Sequence, residues 1–252
     1  MPNSSNYIVI PARLKSTRLP RKMLLRETGK SLIQHTYEAA SKAIKPSGIC
    51  IATDHKDISD EVERFGGHVQ MTSEAAASGT DRVAEVAAAM SDVDIFVNVQ
   101  GDEPEIDPAA IDRVIGLLER DAEAKVATLA TPIRDKQTLN DPNCVKVVCD
   151  NVGRALYFSR SPIPYAREWS DELLTLTPPL YLLHLGIYAY RRDFLLSFAT
   201  MDESRLEQIE RLEQLRVLTT GNKIAVGVVE HAPAGIDTAE DYEAFVSRAN
   251  QR

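Results

Sequence analysis

No stretch of this sequence stays apolar for the ~20 consecutive residues that a membrane-spanning helix needs. Its first apolar run, Tyr7 to Ala12, is short and lacks the basic region that precedes the core of a secretory leader. Cysteine is scarce: Cys50, Cys144 and Cys149 each lie in or beside a strand-like apolar run, where a reduced cysteine packs as a small hydrophobe. An odd number of cysteines with no CxxC spacing predicts neither a disulfide framework nor a zinc site. Together these absences predict a cytoplasmic protein. No Gly-x-Gly-x-x-Gly follows the first predicted strand, which argues against a dinucleotide oxidoreductase. Gly29-Lys30-Ser31 looks like the end of a Walker A loop, but the position that should hold its first glycine is Leu24, so a P-loop is rejected. Positive charge is not in excess either. With 29 Lys and Arg against 37 Asp and Glu, the net charge of -8 makes a poor general binder of nucleic acid or anionic membrane. Internal repeats, low-complexity segments and flexible linkers are absent. The 252 residues, 44% of them hydrophobic, are therefore read as a single α/β domain.

Against this acidic background stands a basic island. Arg13, Lys15, Arg18, Arg21, Lys22 and Arg26 follow one another with no acidic residue among them. Such an island is a solvated charged face by default, and a site for a local anionic ligand if its place in the fold allows.

Short apolar runs alternate with helical patterns over the first half of the chain. Strands are predicted at Tyr7 to Ile10, Gly48 to Thr53, His68 to Met71, Asp94 to Gln100 and Lys125 to Ala130. Helices are predicted at Ser31 to Ala43, Asp57 to Phe65, Thr80 to Met90 and about Pro108 to Arg120. This rhythm calls for a mostly parallel central sheet flanked by helices. It changes near residue 140. Val145 to Cys149 and Arg154 to Ser159 flank Asp150-Asn151-Val152-Gly153 as a hairpin, and His184 to Tyr190 is again strand-like. An antiparallel excursion between about 140 and 190 is expected to extend the active site or carry a dimer contact. Ser204-x-x-Glu207 opens a helix with Leu206, Ile209, Leu212 and Leu215 on one apolar face. Lys223 to Val229 is a strand, and Thr238-x-x-Asp241 caps a last helix.

Open parallel sheets bind ligands outside the carboxyl ends of their strands, and four residue clusters fall at such places. The basic island follows the first strand, where arginine forks and a compact ammonium suit a triphosphate and its departing pyrophosphate. Asn98-Val99-Gln100-Gly101-Asp102-Glu103-Pro104 ends another strand. There Asp102 is either turn chemistry or a ligand for a metal whose other positions are filled by phosphate and water. Gly235-Ile236-Asp237-Thr238 holds either a helix-entry residue or a second carboxylate facing Asp102. Ser78-Gly79-Thr80-Asp81-Arg82 is either an ordinary N-cap or a set of small polar groups and free N–H groups that read a base edge.

Taken in order, these segments resemble the bacterial 3-deoxy-manno-octulosonate (Kdo) cytidylyltransferases, the CMP-Kdo synthetases. The matching pieces run nearly end to end. They are Ile10-Pro11-Ala12-Arg13 with Ser16-Thr17-Arg18-Leu19-Pro20 and Lys22, Ala52-Thr53-Asp54, Ser78-Gly79-Thr80, Val97 to Pro104, Val145 to Val148, Ala155 to Arg160, His184 to Tyr188, Leu212 to Arg216, and Gly235 to Thr238. The resemblance implies a nucleotide-diphospho-sugar transferase, glycosyltransferase-A-like fold, a homodimer, CTP and Kdo as substrates, Mg²⁺ as cofactor and a role in lipopolysaccharide precursor supply. By the same carry-over, Arg13, Arg18 and Lys22 grip the triphosphate, and Pro11, Ala12, Ser78, Gly79 and Thr80 line the cytidine pocket. Asp102 and Asp237 bind the metal. Gln100, Arg160, His184, Tyr188 and Glu213 face the acid sugar, with Arg160 a candidate for its carboxylate. Arg18, Lys22, Asp102 and Asp237 form the implied catalytic set.

Three departures stand out: Arg21 where glycine is common, Asp81 where glutamate is common, and Ala239 where proline is usual. A CMP-sialic acid synthetase is the nearest rival. It is disfavoured by Ser16-Thr17-Arg18 and by Met23 after Lys22. A non-catalytic relative is disfavoured by the presence of Asp102, Asp237 and Lys22.

Overall fold

Alternation of buried strands with amphipathic helices produces the first half of the fold in chain order. It runs β1 (Asn6–Ala12), α1 (Leu32–Ala40), β2 (Gly48–Thr53), α2 (Lys56–Arg64), β3 (Val69–Met71), α3 (Gly79–Ala89), β4 (Ile95–Asn98), α4 (Pro108–Arg120) and β5 (Ala124–Pro132). The second half contains α5 (Lys136–Asn140), β6 (Lys146–Cys149), β7 (Ala155–Ser159), β8 (Leu182–Arg191), α6 (Arg192–Phe198), α7 (Arg205–Glu210), α8 (Gln214–Thr219), β9 (Lys223–Val228) and α9 (Ala239–Ala249). This computed structural model describes residues 5–16, 18–230 and 235–251. Thr17 of the basic island lies outside them.

The nine strands form one sheet whose main path is β3-β2-β1-β4-β8-β5-β9, with β6 joined to β8 and β7 to β6. Pairings among β1, β2, β3 and β4, and between β5 and β9, are parallel. The pairings of β8 with β4, β5 and β6 are antiparallel, as is β6 with β7. The excursion past residue 140 is therefore no appendage. Its last strand, β8, fills the centre of the sheet between β4 and β5, and it places Tyr188 directly opposite Asn98 and Thr128. A strand entering the middle of a parallel sheet needs apolar side chains on both faces. Ile187, Ala189 and Tyr190 supply them and are buried.

Two apolar clusters cover the two faces of the sheet. Ile8, Ile10, Val97, Val99, Ile111 and Ile115 lie in one, and Val9, Phe96, Val126, Phe158, Phe194 and Leu215 in the other. Residues adjacent along β1 and β4 thus divide between clusters, as the period of two requires.

The helix expected from Ser204 to Leu215 is two helices. The capping box of Ser204 and Glu207 forms, but Arg211 takes a left-handed conformation (φ 53) and ends α7. The turn resets the helical phase. Leu212 and Leu215 are buried, while Leu206 and Ile209 face solvent. Glu207 holds the inward position instead, and Arg216 of α8 donates to both its oxygens at 2.5 and 2.8 Å. The same guanidinium lies over the Phe198 ring.

Candidate active site

The carboxyl ends of β1 and β4 meet the start of α9 at a cluster of opposite charges. Pro11 and Ala12 end β1, and the basic island leads from there into a short 3-10 turn, Lys22–Leu24. Arg21 caps that turn with a left-handed backbone (φ 54), a conformation that glycine adopts without steric cost. Its guanidinium donates to Asp57 at the start of α2 at 2.7 Å, which ties the loop down. The turn directs Lys22 inward, and only 7% of that residue is exposed.

There the Lys22 ammonium donates to Asp102 Oδ2 at 2.6 Å and to the Ile236 carbonyl at 2.7 Å. It lies 3.6 Å from Asp237 Oδ1, and Arg18 approaches the same oxygen at 3.2 Å. Arg18, Lys22, Asp102 and Asp237 are thereby gathered at one point from three distant parts of the chain. The Ile236 N–H also donates to the Asp102 carbonyl at 2.9 Å, which joins the two carboxylate-bearing segments through the backbone.

Close backbone approach makes this convergence possible. A Cβ at Gly101 would stand 3.1 Å from the Pro11 carbonyl oxygen and 3.2 Å from Met23 Sδ, so glycine lets the strand end sit beneath the basic loop. Thr36 of α1 donates to the Gly101 carbonyl at 2.8 Å and fixes it. Gly79 similarly brings the start of α3 against Pro11, whose Cγ would lie 3.3 Å from an added Cβ. Ser78 is the α3 N-cap, in a reciprocal capping box with Asp81. Arg13 reaches across to the Ala76 carbonyl at 3.1 Å. With Lys15, Asp54, His55, Glu74 and Arg82 it lines a cavity of about 440 Å³ beside that loop.

The remaining predicted residues divide. Gln100, Tyr188 and Glu213 line a cavity of about 180 Å³ together with Gly79 and Thr80, so the implied nucleotide and sugar residues share a wall. Thr80 shares that lining with Glu213 and Tyr190. Burial raises the Glu213 carboxyl above its ordinary range and raises the Tyr188 phenol.

His184 and Arg160 lie outside that lining. His184 is held by Thr128 Oγ1 at 3.0 Å, edge-on to Phe158, and burial pushes its imidazole down to about 3. Arg160 donates to the carbonyls of Glu210 at 2.6 Å, Pro142 at 2.9 Å and Arg211 at 3.4 Å. Its guanidinium is thus committed to backbone carbonyls of residues outside that lining.

Glu103 was not singled out by the sequence reading. It lines a wide groove of about 1050 Å³ with His184, Gly186 and Asp237. Burial and the adjacent Asp102 charge push its carboxyl up to about 8. Its signal in the sequence is the Asp-Glu pair before Pro104, a segment that reads equally as turn chemistry or as a metal-ligand site on Asp102.

Among the described residues no group of three or more His, Cys, Asp and Glu is arranged to hold a metal. Two carboxylates within 3.6 Å of one ammonium are instead the sparse, all-oxygen donor set that suits Mg²⁺, an ion that keeps waters and substrate phosphates in its remaining positions.

Known proteins resemble this chain along most of its length. A family model described as cytidylyltransferase matches residues 7–224. A 3-deoxy-manno-octulosonate cytidylyltransferase of Rhodopirellula baltica is 52% identical over 242 residues, covering 96% of this chain and 97% of that protein. An 8-amino-3,8-dideoxy-manno-octulosonate cytidylyltransferase of Shewanella pealeana is 48% identical over 93% of this chain and 94% of its own length. A solved structure of CMP:2-keto-3-deoxy-manno-octonic acid synthetase complexed with CTP matches with a TM-score of 0.90 and 40% identity, covering 98% of this chain and 99% of that one. With that coverage and identity across the whole fold, the chain belongs to the cytidylyltransferase family, among the 3-deoxy-manno-octulosonate cytidylyltransferases.

Proposed function

We propose that this chain transfers the cytidylyl group of CTP to the anomeric hydroxyl of Kdo, giving CMP-Kdo and pyrophosphate. The observation that carries the reading is the junction of Arg18, Lys22, Asp102 and Asp237 at the strand ends, in a chain 52% identical to a relative that bears the name of this activity. A bond forms between the anomeric oxygen and the α-phosphorus. The bond from that phosphorus to the bridging oxygen breaks opposite it, and the hydroxyl proton passes to solvent.

Asp102 and Asp237 are the residues that would hold Mg²⁺, which supplies neutralisation of triphosphate charge and polarisation of the attacking hydroxyl. Lys22 is buried and cannot swing far. Its fixed ammonium balances charge on the phosphates with little reorganisation, and the more exposed Arg18 adds a planar fork for the leaving pyrophosphate. Arg13, braced by the Ala76 carbonyl, stands at the same loop for the nucleotide. Gln100, Tyr188 and Glu213 offer a polar wall to the sugar. The contribution of the chain is then chiefly positioning and electrostatics.

A homodimer fits the large apolar side chains that the excursion leaves exposed, Leu156 and Tyr165 among them. Sedimentation equilibrium is expected to read twice the 27.9 kDa chain, and a monomer at micromolar concentration would count against it. A cytoplasmic place in lipopolysaccharide precursor supply accords with the CTP substrate, and no described helix is long and apolar enough to cross a membrane. The 48% identity to an 8-amino-sugar enzyme motivates a second substrate, the amino analogue of Kdo.

Pyrophosphate release with CTP and Mg²⁺ tests both, using Kdo, its amino analogue and N-acetylneuraminate with EDTA controls. Release with Kdo that EDTA abolishes is the expected result. Release with the amino analogue alone would move the substrate, and release with none of the three would overturn the reading.

A further inference from the structure

Thr128 is a polar residue in the apolar run Val126 to Ala130 of β5, and it is fully buried. A hydroxyl in such a place costs free energy unless it is paired. Its pairing coincides with a break in the β5–β8 ladder. Thr128 stands opposite Tyr188, but the next residue, Leu129, stands opposite Leu185, so Gly186 and Ile187 have no partner on β5. A bulge of this kind interrupts the ladder, and bulges are common beside active sites, where they re-aim side chains.

Side chains take over where the ladder lapses. The Thr128 hydroxyl lies 3.0 Å from the Leu185 carbonyl oxygen and 2.8 Å from that of Ile187. Gln100, just past β4, donates from Nε2 to the Gly186 carbonyl at 3.3 Å. The consecutive carbonyls of the bulge are thus met by side chains from either flank. Thr128 Oγ1 also lies 3.0 Å from His184 Nε2. A hydroxyl has one proton and two lone pairs. With that proton given to the carbonyls, the imidazole is the donor to Oγ1. Burial keeps His184 neutral, so its single ring proton sits on Nε2. The segment held in this way walls the site. His184, Leu185, Gly186 and Ile187 line the groove of about 1050 Å³ that Asp237 also lines, and Gln100 and Tyr188 line the cavity of about 180 Å³.

We propose that Thr128 is a positioning residue: its hydroxyl sets the β8 bulge and the His184 tautomer, and thereby the wall that receives the acid sugar. The inference rests on the reading of that sugar as the acceptor of the cytidylyl group. Being fully buried, Thr128 acts through its neighbours rather than on the substrate.

Two variants test it. Thr128→Val keeps the branched shape and removes the hydroxyl, and Thr128→Ser keeps the hydroxyl. The KM for Kdo is expected to rise about tenfold in Thr128→Val and to return to within about twofold of wild type in Thr128→Ser. The KM for CTP is expected to change less in Thr128→Val, because the bulge carries none of the residues assigned to the triphosphate. Nitrogen-15 correlation spectra of the imidazoles add a reading that a loss of stability alone would not move. The His184 signals, assigned by their absence in His184→Gln, are expected to show the Nε2–H form in wild type and Thr128→Ser and a mixture of tautomers in Thr128→Val. An unchanged KM for Kdo in Thr128→Val, equal rises in both KM values, or a serine variant no better than the valine one would each overturn the proposal while leaving the activity in place. A wild-type His184 with its proton on Nδ1 would overturn it too, and that measurement needs no variant of Thr128 to fold. No turnover by wild type with CTP and Kdo would overturn the functional reading and, with it, the place of the sugar at this wall.

Discussion

Lys22, Asp102 and Asp237 show how a residue acquires a role from its neighbours. Asp102 Oδ2 and Asp237 Oδ1 share one buried ammonium, and Arg18 partly offsets the second carboxylate. The side chain of Asp102 stands at a strand end, partly exposed, and packs no core. Asp102→Ala is therefore expected to lower pyrophosphate release by roughly 10³-fold or more while far-UV circular dichroism stays unchanged. Full activity in that variant would refute the assignment. Arg21 illustrates the opposite kind of legibility. The sequence marked it as a substitution for glycine, and its left-handed backbone gives the reason glycine is at home there. Its contact with Asp57 could not have been read, because helix and loop are joined only by the fold.

At the scale of the element, α9 does more than close the chain. Thr238 and Asp241 form the expected capping box, so the helix start is fixed by local chemistry. Its inner face, Tyr242 and Phe245 with Ile236, packs against Leu32, Leu19 and Leu25, which flank the basic loop. The Tyr242 hydroxyl also donates to Glu27. One apolar cluster therefore clamps the loop carrying Lys22 to the segment carrying Asp237. Phe245→Ala empties that cluster and is expected to cost about 3 kcal/mol in urea denaturation, with a drop in kcat/KM for CTP. A stability loss without a kinetic effect would show that the clamp holds the helix alone. The split of the Ser204 to Leu215 helix belongs to the same scale. Its capping signal was readable, but the Glu207–Arg216 pair that turns the polar position inward is a tertiary choice.

For the whole molecule, burial sets the response to acid. His184 sits beneath Phe158 and Tyr188 with its imidazole pushed down to about 3. Below the ordinary histidine range the unfolded chain takes a proton that the folded one refuses. Stability is therefore present above about pH 6.5 and is lost as pH falls toward 3. Replacement with an uncharged side chain, His184→Gln, should flatten that limb. Between pH 7 and 5 the wild type is expected to lose about 2 kcal/mol more than the variant in chemical denaturation. Equal losses would place the imidazole in a wetter setting.

Local chemistry by itself determined the strands of the first half, the caps of α3, α7 and α9, the basic island and the strand-end carboxylates. Each depends on periodicity or on groups a few residues apart. Only the tertiary structure decided that β8 enters the centre of the sheet and that Arg160 is committed to backbone carbonyls. Those outcomes depend on which distant surfaces exclude water together, and hydrogen bonding and desolvation between segments far apart in the chain leave no pattern in the sequence between them.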